Sequence, residues 1–356
     1  MMPRPPSGAT IVAAATAVPR HTISSAEVKE HFPKAFALDP ARLTMMRAIV
    51  DNAQVHNRHL LYPWEQTIQP RLLEQTTEEY KTHSVRLGCQ VAKDALAKAN
   101  LDAGDIDLLI TVSCTGFMIP SLDAHLINEL GFEPSVKRLP ITELGCAAGA
   151  AALCRAADYI RAFPDAHVLV VAVELASLTF QRSDLSPAHL ISCVLFGDGA
   201  AAAIVSGPAS RGLRVIDTQS HLIANSLGAM GFDLKSSGFH IVLDKNVPQL
   251  VRDEIGPVVR GLLERHSLDR SNLSFFLLHP GGQKLLANIE AKLGLSREDT
   301  ALSWCVLGKY GNLSSATVLF ILKEFFERPA PSIGERGLLA AFGPGFSMEM
   351  ALLEWN

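Results

Sequence analysis

The chain has 356 residues, 48% of them hydrophobic and 19% charged, with a net charge of −4. That length and apolar content support a full buried core, and the mild negative charge lacks the electrostatic footprint of a nucleic-acid or anionic-membrane partner. Six cysteines, at 89, 114, 146, 154, 193 and 305, contain no CxxC pair and are too few for a disulfide framework, so no metal site and a reduced, cytoplasmic setting are expected.

The first apolar run, Thr10-Ile11-Val12-Ala13-Ala14-Ala15, has Pro3, Pro5, Pro6 and Pro19 around it. It is too short to cross a bilayer and lacks a signal-peptide layout, so a β-strand is expected. No other segment approaches the roughly 20 apolar residues of a spanning helix, and no membrane span is expected. Residues 84–100 place apolar side chains at helical spacing, and 105–112 has the pattern of a buried strand. The small-residue run from Leu144 to Ala152 suits the opening turns of a buried helix. Gly197-Asp198-Gly199-Ala200 is expected to be a glycine turn feeding an apolar strand. Further on, 249–266 is helical in pattern, and 274–278 is a strand ending at His279-Pro280-Gly281-Gly282. Gly343-Pro344-Gly345-Phe346 then feeds the last apolar strand. Helix, strand, helix, glycine turn and strand thus occur twice in one order. The expectation is an α/β fold of two duplicated halves, 1–208 and 209–356, with its seam in Ser206-Gly207-Pro208-Ala209-Ser210.

Three residues carry candidate chemistry. The free N–H groups and partial positive charge of a helix start favour the thiolate of Cys146. His279 ends a buried strand, and Asn312 lies in Tyr310-Gly311-Asn312-Leu313-Ser314-Ser315. Cys, His and Asn in that order suit a thiol nucleophile, an imidazole and an amide donor in one pocket. A lone cysteine on an apolar helix is ordinarily a small core hydrophobe, the reading that fits Cys89, Cys154 and Cys305. Asn312 taken alone is a turn residue, and Phe196 and Phe232 taken alone are core packing.

Five motifs together resemble a known family. They are Gly145-Cys146-Ala147-Ala148-Gly149, Leu195-Phe196-Gly197-Asp198-Gly199-Ala200, His279-Pro280-Gly281-Gly282, Gly311-Asn312-Leu313-Ser314-Ser315-Ala316 and Phe342-Gly343-Pro344-Gly345. Each is common alone; their order and spacing resemble the type III polyketide synthases, the chalcone synthase-like branch of the thiolase-fold condensing enzymes. The resemblance implies a homodimer of five-layered αβαβα subunits, with coenzyme A thioesters as substrates and no metal or bound cofactor. It implies that Cys146 takes an acyl starter from acyl-CoA. His279 can stabilise the thiolate as an ion pair, and together with Asn312 it can hold the thioester carbonyl and the enolate formed when malonyl-CoA loses carbon dioxide. Thioester exchange itself favours a soft nucleophile that is also a good leaving group, hence Cys over Ser.

Pocket residues follow from the same resemblance. Phe196 matches an aromatic gatekeeper, and Thr115, Thr179 and Ser314 match small polar cavity positions. Cys114 falls where bacterial relatives place a second active-site cysteine, and stands between a pocket wall and a redox-sensitive thiol. Ser192 stands where plant members commonly have glycine. The Gly343, Pro344 and Gly345 backbone is expected to shape the cavity floor, and Ile119 to reach into the cavity of the partner. Two departures reshape the pocket: Ile241 replaces a second gatekeeper phenylalanine, and Phe232 replaces a glycine. The segment of coenzyme A-binding basic residues reads Met45-Met46-Arg47-Ala48-Ile49-Val50-Asp51-Asn52, with Arg47 as its only cation. Met230-Gly231-Phe232-Asp233 and the Gly343-Pro344-Gly345-Phe346 ending look most like bacterial members that make alkyl-α-pyrones from fatty acyl starters. Malonyl-CoA or methylmalonyl-CoA would be the extender, and alkylresorcinol or acylphloroglucinol-type ring closure is the alternative outcome. A ketoacyl-acyl carrier protein synthase III uses the same three residues for one condensation. A hydroxymethylglutaryl synthase would need a catalytic glutamate that Glu143 does not supply, a papain-like hydrolase lacks its cysteine signature here, and a non-catalytic protein would not retain all three residues.

Overall fold

The computed structural model describes residues 8–36, 38–208 and 210–356; Pro3, Pro5, Pro6 and Ala209, named above, lie outside the described residues. In chain order the strands are β1 (Thr10–Ala17), β2 (His21–Ser24), β3 (Asn57–Leu60), β4 (Leu108–Val112), β5 (Lys137–Ile141), β6 (Val168–Leu175) and β7 (Asp198–Ser206). They continue with β8 (Leu213–Leu222), β9 (Met230–Lys235), β10 (Gly238–Leu243), β11 (Leu273–Leu278), β12 (Arg336–Gly343) and β13 (Ser347–Trp355). Every residue of β4, β6, β7 and β13 is buried. Strands covered on both faces need helices on both sides of their sheet.

The sheet order is β11-β12-β13-β8-β1-β7-β6-β4-β5. At its centre β1 meets β8 only through Thr10 with Arg214 and Ile11 with Leu213. Outward from that seam each side repeats the same senses: an antiparallel neighbour (β7 or β13), another antiparallel strand (β6 or β12), then a parallel one (β4 or β11). Helices Ala148–Ala162 and Thr317–Phe326 pack between the two sides. Alternate residues of one strand serve two cores. Val168, Val170 and Ala172 of β6 face these central helices, and Leu169, Val171 and Val173 face helix Leu73–Ala99. On the other side Leu339 and Ala341 of β12 face the centre, and Leu338, Ala340 and Phe342 pack with Val251, Ile255 and Val259 of helix Val247–Glu264. Five layers, αβαβα, result from two duplicated halves.

Several local expectations shift for identifiable reasons. The helix expected at 84–100 starts at Leu73, where the Gln75 side chain accepts the Leu72 N–H at 2.9 Å. The strand expected from 105 begins at Leu108, because Asp105 closes a short turn by accepting the Asp102 N–H at 2.8 Å. The two glycine motifs are not equivalent. Gly343-Pro344-Gly345 is the tight turn of the β12–β13 hairpin, whereas Gly197 lies between helix Pro187–Leu195 and β7, and Asp198 opens that strand directly. The extra helix in the first half forms part of the cavity wall described below.

Gly149 shows how tight the central layer is. A Cβ there would overlap the Ser315 carbonyl oxygen and lie 3.0 Å from Val318 Cγ1. Gly149→Ala is expected to destabilise the protein by about 1–3 kcal/mol or more through overpacking, read as a drop in the denaturation midpoint.

Candidate active site

Cys146 lies in the single turn Gly145–Ala147 that opens helix Ala148–Ala162. Gly145 holds φ +50°, and a Cβ on it would lie 2.5 Å from Pro344 Cδ. The Gly343-Pro344-Gly345 turn therefore braces the nucleophile elbow. Pro344 reaches the cavity wall, whereas Gly343 stands against Leu144 and Ala147, and Gly345 against Leu222.

The cavity has a volume of about 390 Å³. Cys146 lines it together with Cys114, Thr115, Thr179, Ser192, Phe196, Phe232, Ile241, Ser314 and Pro344. Leu60, Trp64, Phe180, Met230 and Phe239 add an apolar wall. Ile119 is 82% exposed on the outer surface and does not line the cavity of its own subunit.

Asn312 is placed by its backbone, since its N–H donates to Leu195 O at 2.8 Å and its carbonyl accepts from Gly197 N at 3.0 Å. The preceding Gly311, at φ +72°, could carry no side chain without meeting Leu195 O. Asn312 Oδ1 accepts from Ser314 N at 2.7 Å, which fixes the amide orientation, since a backbone N–H can only donate. Nδ2 donates to Gly281 O at 2.9 Å, tying the amide to the His279-Pro280-Gly281-Gly282 loop. The Asn312 side chain is also within hydrogen-bonding reach of the Cys146 thiol.

His279 follows β11, and its N–H donates to Ala340 O at 2.8 Å. It is buried, and its Nδ1 has no partner. Burial pulls its pKa down to about 3. Burial pushes the Cys146 thiol up to about 12, against the favourable pull of Ser314 and Asn312. Desolvation in the assembled site thus works against the thiolate that the helix start favours. No full positive charge opposes the desolvation of the sulfur, and the Glu174 carboxylate adds repulsion.

Glu174 is the functional candidate missing from the sequence reading. It is fully buried on β6 and accepts from Thr115 Oγ1 at 2.7 Å, Cys114 N at 3.1 Å and Ser315 Oγ. Its signal was present: one carboxylate in the otherwise apolar strand Val168–Leu175. Arg58 was missed as well. It is buried and its Nη1 donates to Phe196 O at 2.9 Å and to Cys193 O, clamping the aromatic gate from beneath. Among the described residues no cluster of three or more His, Cys, Asp or Glu forms a metal-donor set.

Known proteins are similar to this chain over nearly its whole length. The family model described as chalcone and stilbene synthases, N-terminal domain, matches residues 3–208, and the C-terminal domain model matches 215–355. The chain is 39% identical to the 1,3,6,8-tetrahydroxynaphthalene synthase of Streptomyces coelicolor, over 98% of this chain and 92% of the relative. The crystal structure of that bacterial type III polyketide synthase superposes with a TM-score of 0.94 at 38% identity, covering 98% of this chain and 99% of the other. The phloroglucinol synthase of Pseudomonas fluorescens is 35% identical, over 95% and 97% of the two chains. The alpha-pyrone synthesis polyketide synthase-like Pks18 of Mycobacterium tuberculosis is 28% identical, over 99% and 93%. With both family domains matched along its length, and Cys146 on a cavity wall near an Asn312 amide tied to the His279-Pro280-Gly281-Gly282 loop, the chain belongs to the chalcone and stilbene synthase family and is a type III polyketide synthase, an acyltransferase of the thiolase fold.

Proposed function

We propose that Cys146 takes an acyl starter from coenzyme A and holds the growing chain. The observation that carries this reading is the position of Cys146 on the cavity wall with the Asn312 amide and Ser314 hydroxyl beside its sulfur. Malonyl-CoA then loses carbon dioxide, and its enolate attacks the thioester. A neutral His279 donates one N–H, and the Asn312 amide keeps one proton beyond its bond to Gly281 O. Both suit a developing oxyanion, because neither can be drained of charge by it. Coenzyme A thioesters are the substrates in this scheme, and it uses no metal or bound cofactor. On the same reading 1–208 is the nucleophile half and 209–356 the half that supplies His279 and Asn312. The six free thiols suit a cytoplasmic enzyme.

For the starter we favour an aliphatic acyl-CoA, lengthened and closed as an α-pyrone. The apolar wall of Leu60, Trp64, Phe180, Met230, Phe232 and Phe239 supports it, and Ile241 widens the gate where a ring would stand. A second reading, condensation of malonyl units to a polyhydroxylated aromatic, is favoured by the polar wall of Cys114, Thr115, Thr179, Ser192 and Ser314 and by the similarity to tetrahydroxynaphthalene synthase. Mass spectrometry of products from malonyl-CoA, alone and with acyl-CoAs of graded length, separates the two. Pyrones with a chain-length optimum support the first; an aromatic made from malonyl-CoA alone replaces it with the second. An extension that required acyl carrier protein would point to a synthase III.

Cys146→Ala is expected to abolish every product. Asn312→Ala is expected to lower turnover by about 100- to 1000-fold, as loss of one oxyanion donor typically does, and to slow release of labelled carbon dioxide from malonyl-CoA in parallel.

A second copy of the chain is the partner we propose. Edge strand β5 has four exposed residues from Lys137 to Pro140, and Phe117, Ile119, Leu139 and Leu144 expose apolar side chains around it. An uncovered edge beside an apolar patch invites pairing. Ile119→Asp is expected to shift the protein from dimer to monomer in sedimentation analysis; a wild-type monomer at micromolar concentration would overturn the dimer.

A further inference from the structure

Cys114, Cys146 and Cys193 all line the cavity, and they differ in what they touch. Cys146 is hydrogen-bonded to Ser314, and Cys114 to Ser314 and Glu174, whereas Cys193 is bonded to an imidazole. Its sulfur lies 3.2 Å from Nε2 of His189, one turn back on helix Pro187–Leu195. A spacing of four residues puts both side chains on one face of that helix. The helix start is fixed by Ser186, whose hydroxyl accepts the His189 N–H at 3.2 Å, and by Pro187 in the first turn. His189 also lines the cavity, so the pair stands on its wall.

The backbone sets the direction of the bond between them. The Gln181 N–H, which can only donate, also points at His189 Nε2, at 3.3 Å. That nitrogen is then the acceptor, the ring proton sits on Nδ1, and the Cys193 S–H donates to Nε2. Phe180 and Phe36 pack against the ring, with centroids 5.6 and 6.3 Å away. A cation adjoins the thiol. Arg58 lines the same cavity, its Nη1 donates to the Cys193 carbonyl, and its buried Nη2 has no hydrogen-bond partner among the described residues. Burial opposes charge on the Cys193 sulfur, and the Arg58 guanidinium works against that burial.

We propose that Cys193 is a second acyl acceptor of the cavity, with His189 as its general base and acyl thioesters as its substrates. This rests on the reading above that such thioesters enter the cavity. The Cys193 sulfur attacks the thioester carbonyl carbon, and its proton passes to His189 Nε2 as the new carbon–sulfur bond forms. The carbon–sulfur bond to coenzyme A then breaks, and the proton moves from His189 to the departing coenzyme A sulfur. Cys193 ends as a thioester, His189 Nε2 is again a free acceptor, and coenzyme A leaves as a thiol. Trp64 and Phe180, edge to face at 6.1 Å on the cavity wall, offer the acyl tail an apolar surface. A chain held on Cys193 leaves Cys146 free to load another.

The experiment incubates the full chain carrying Cys146→Ala with acetyl-CoA or octanoyl-CoA and maps acyl groups by peptide mass spectrometry, with release by hydroxylamine identifying thioesters. An acyl thioester on Cys193 is expected, and its loss in Cys146→Ala/Cys193→Ala. Adding His189→Gln, which keeps an acceptor for the S–H but cannot take its proton, is expected to slow that acylation about 100-fold or more, the range of a lost general base. The Cys146→Ala arm leaves helix Pro187–Leu195 untouched, so it decides the proposal even where His189→Gln does not fold. No adduct on Cys193, or adducts on Cys114 or Cys89 at the same rate, overturns the second acceptor. An unchanged rate in a folded His189→Gln overturns its base. The wild type is run alongside. Acylation of its Cys146 without any on Cys193 in Cys146→Ala sinks this proposal alone, whereas a wild type that takes no acyl group on Cys146 counts against the functional reading itself.

Discussion

The central helices bring Cys146 and Ser314 within 3.3 Å only because Gly149 has no side chain. Helix Ala148–Ala162 and the segment running from Ser314 into helix Thr317–Phe326 start from opposite halves of the sheet and cross at that glycine. The alanines around it let both helices sink against strands whose inner faces are largely Val, Ala, Ile and Leu. Packing this dense is unforgiving of added volume. It also removes water from the sulfur, which raises the cost of a thiolate there. One geometric constraint thus fixes both the position of Cys146 and how strongly burial acts on its thiol.

Phe196 and Asn312 form a second unit. Phe196 and Asn312 pair through an isolated backbone bridge, and the bonds from Asn312 N to Leu195 O and from Gly197 N to Asn312 O lie on either side of it. Arg58 holds the same loop from below. Its guanidinium caps carbonyls at the end of helix Pro187–Leu195, where a cation is favourable, and burial draws its pKa down only to about 10, so it stays charged. Phe196 and Asn312 therefore rest on one stretch of backbone. A change of gate volume at Phe196 that moved this backbone would move Asn312 with it.

Much of this was legible in the residues. The five motifs gave the family, the strand at 274–278 placed His279 at its end, and the small-residue run after Leu144 gave the nucleophile helix. What escaped depends on contacts between segments far apart in sequence. Glu174 is one letter in an apolar strand, and its partners are 59 to 141 residues away. The desolvation of Cys146 escaped because it is a property of the assembled layers, whereas the helix start that favours thiolate is local. The glycine motifs misled because Gly197-Asp198-Gly199 and Gly343-Pro344-Gly345 have similar letters but different neighbours: a helix precedes one and a hairpin encloses the other.

The Asn312 amide is held independently of the sulfur beside it. Its orientation is fixed by Ser314 N and by Gly281 O, and neither partner is a titratable group. Burial opposes charge on both the His279 ring and the Cys146 thiol, so any charge that forms there depends on neighbouring protein groups rather than on water. Ser314 and Asn312 supply the side chains that lower the thiol pKa against that burial, and both belong to the segment that Gly149 lets approach the elbow.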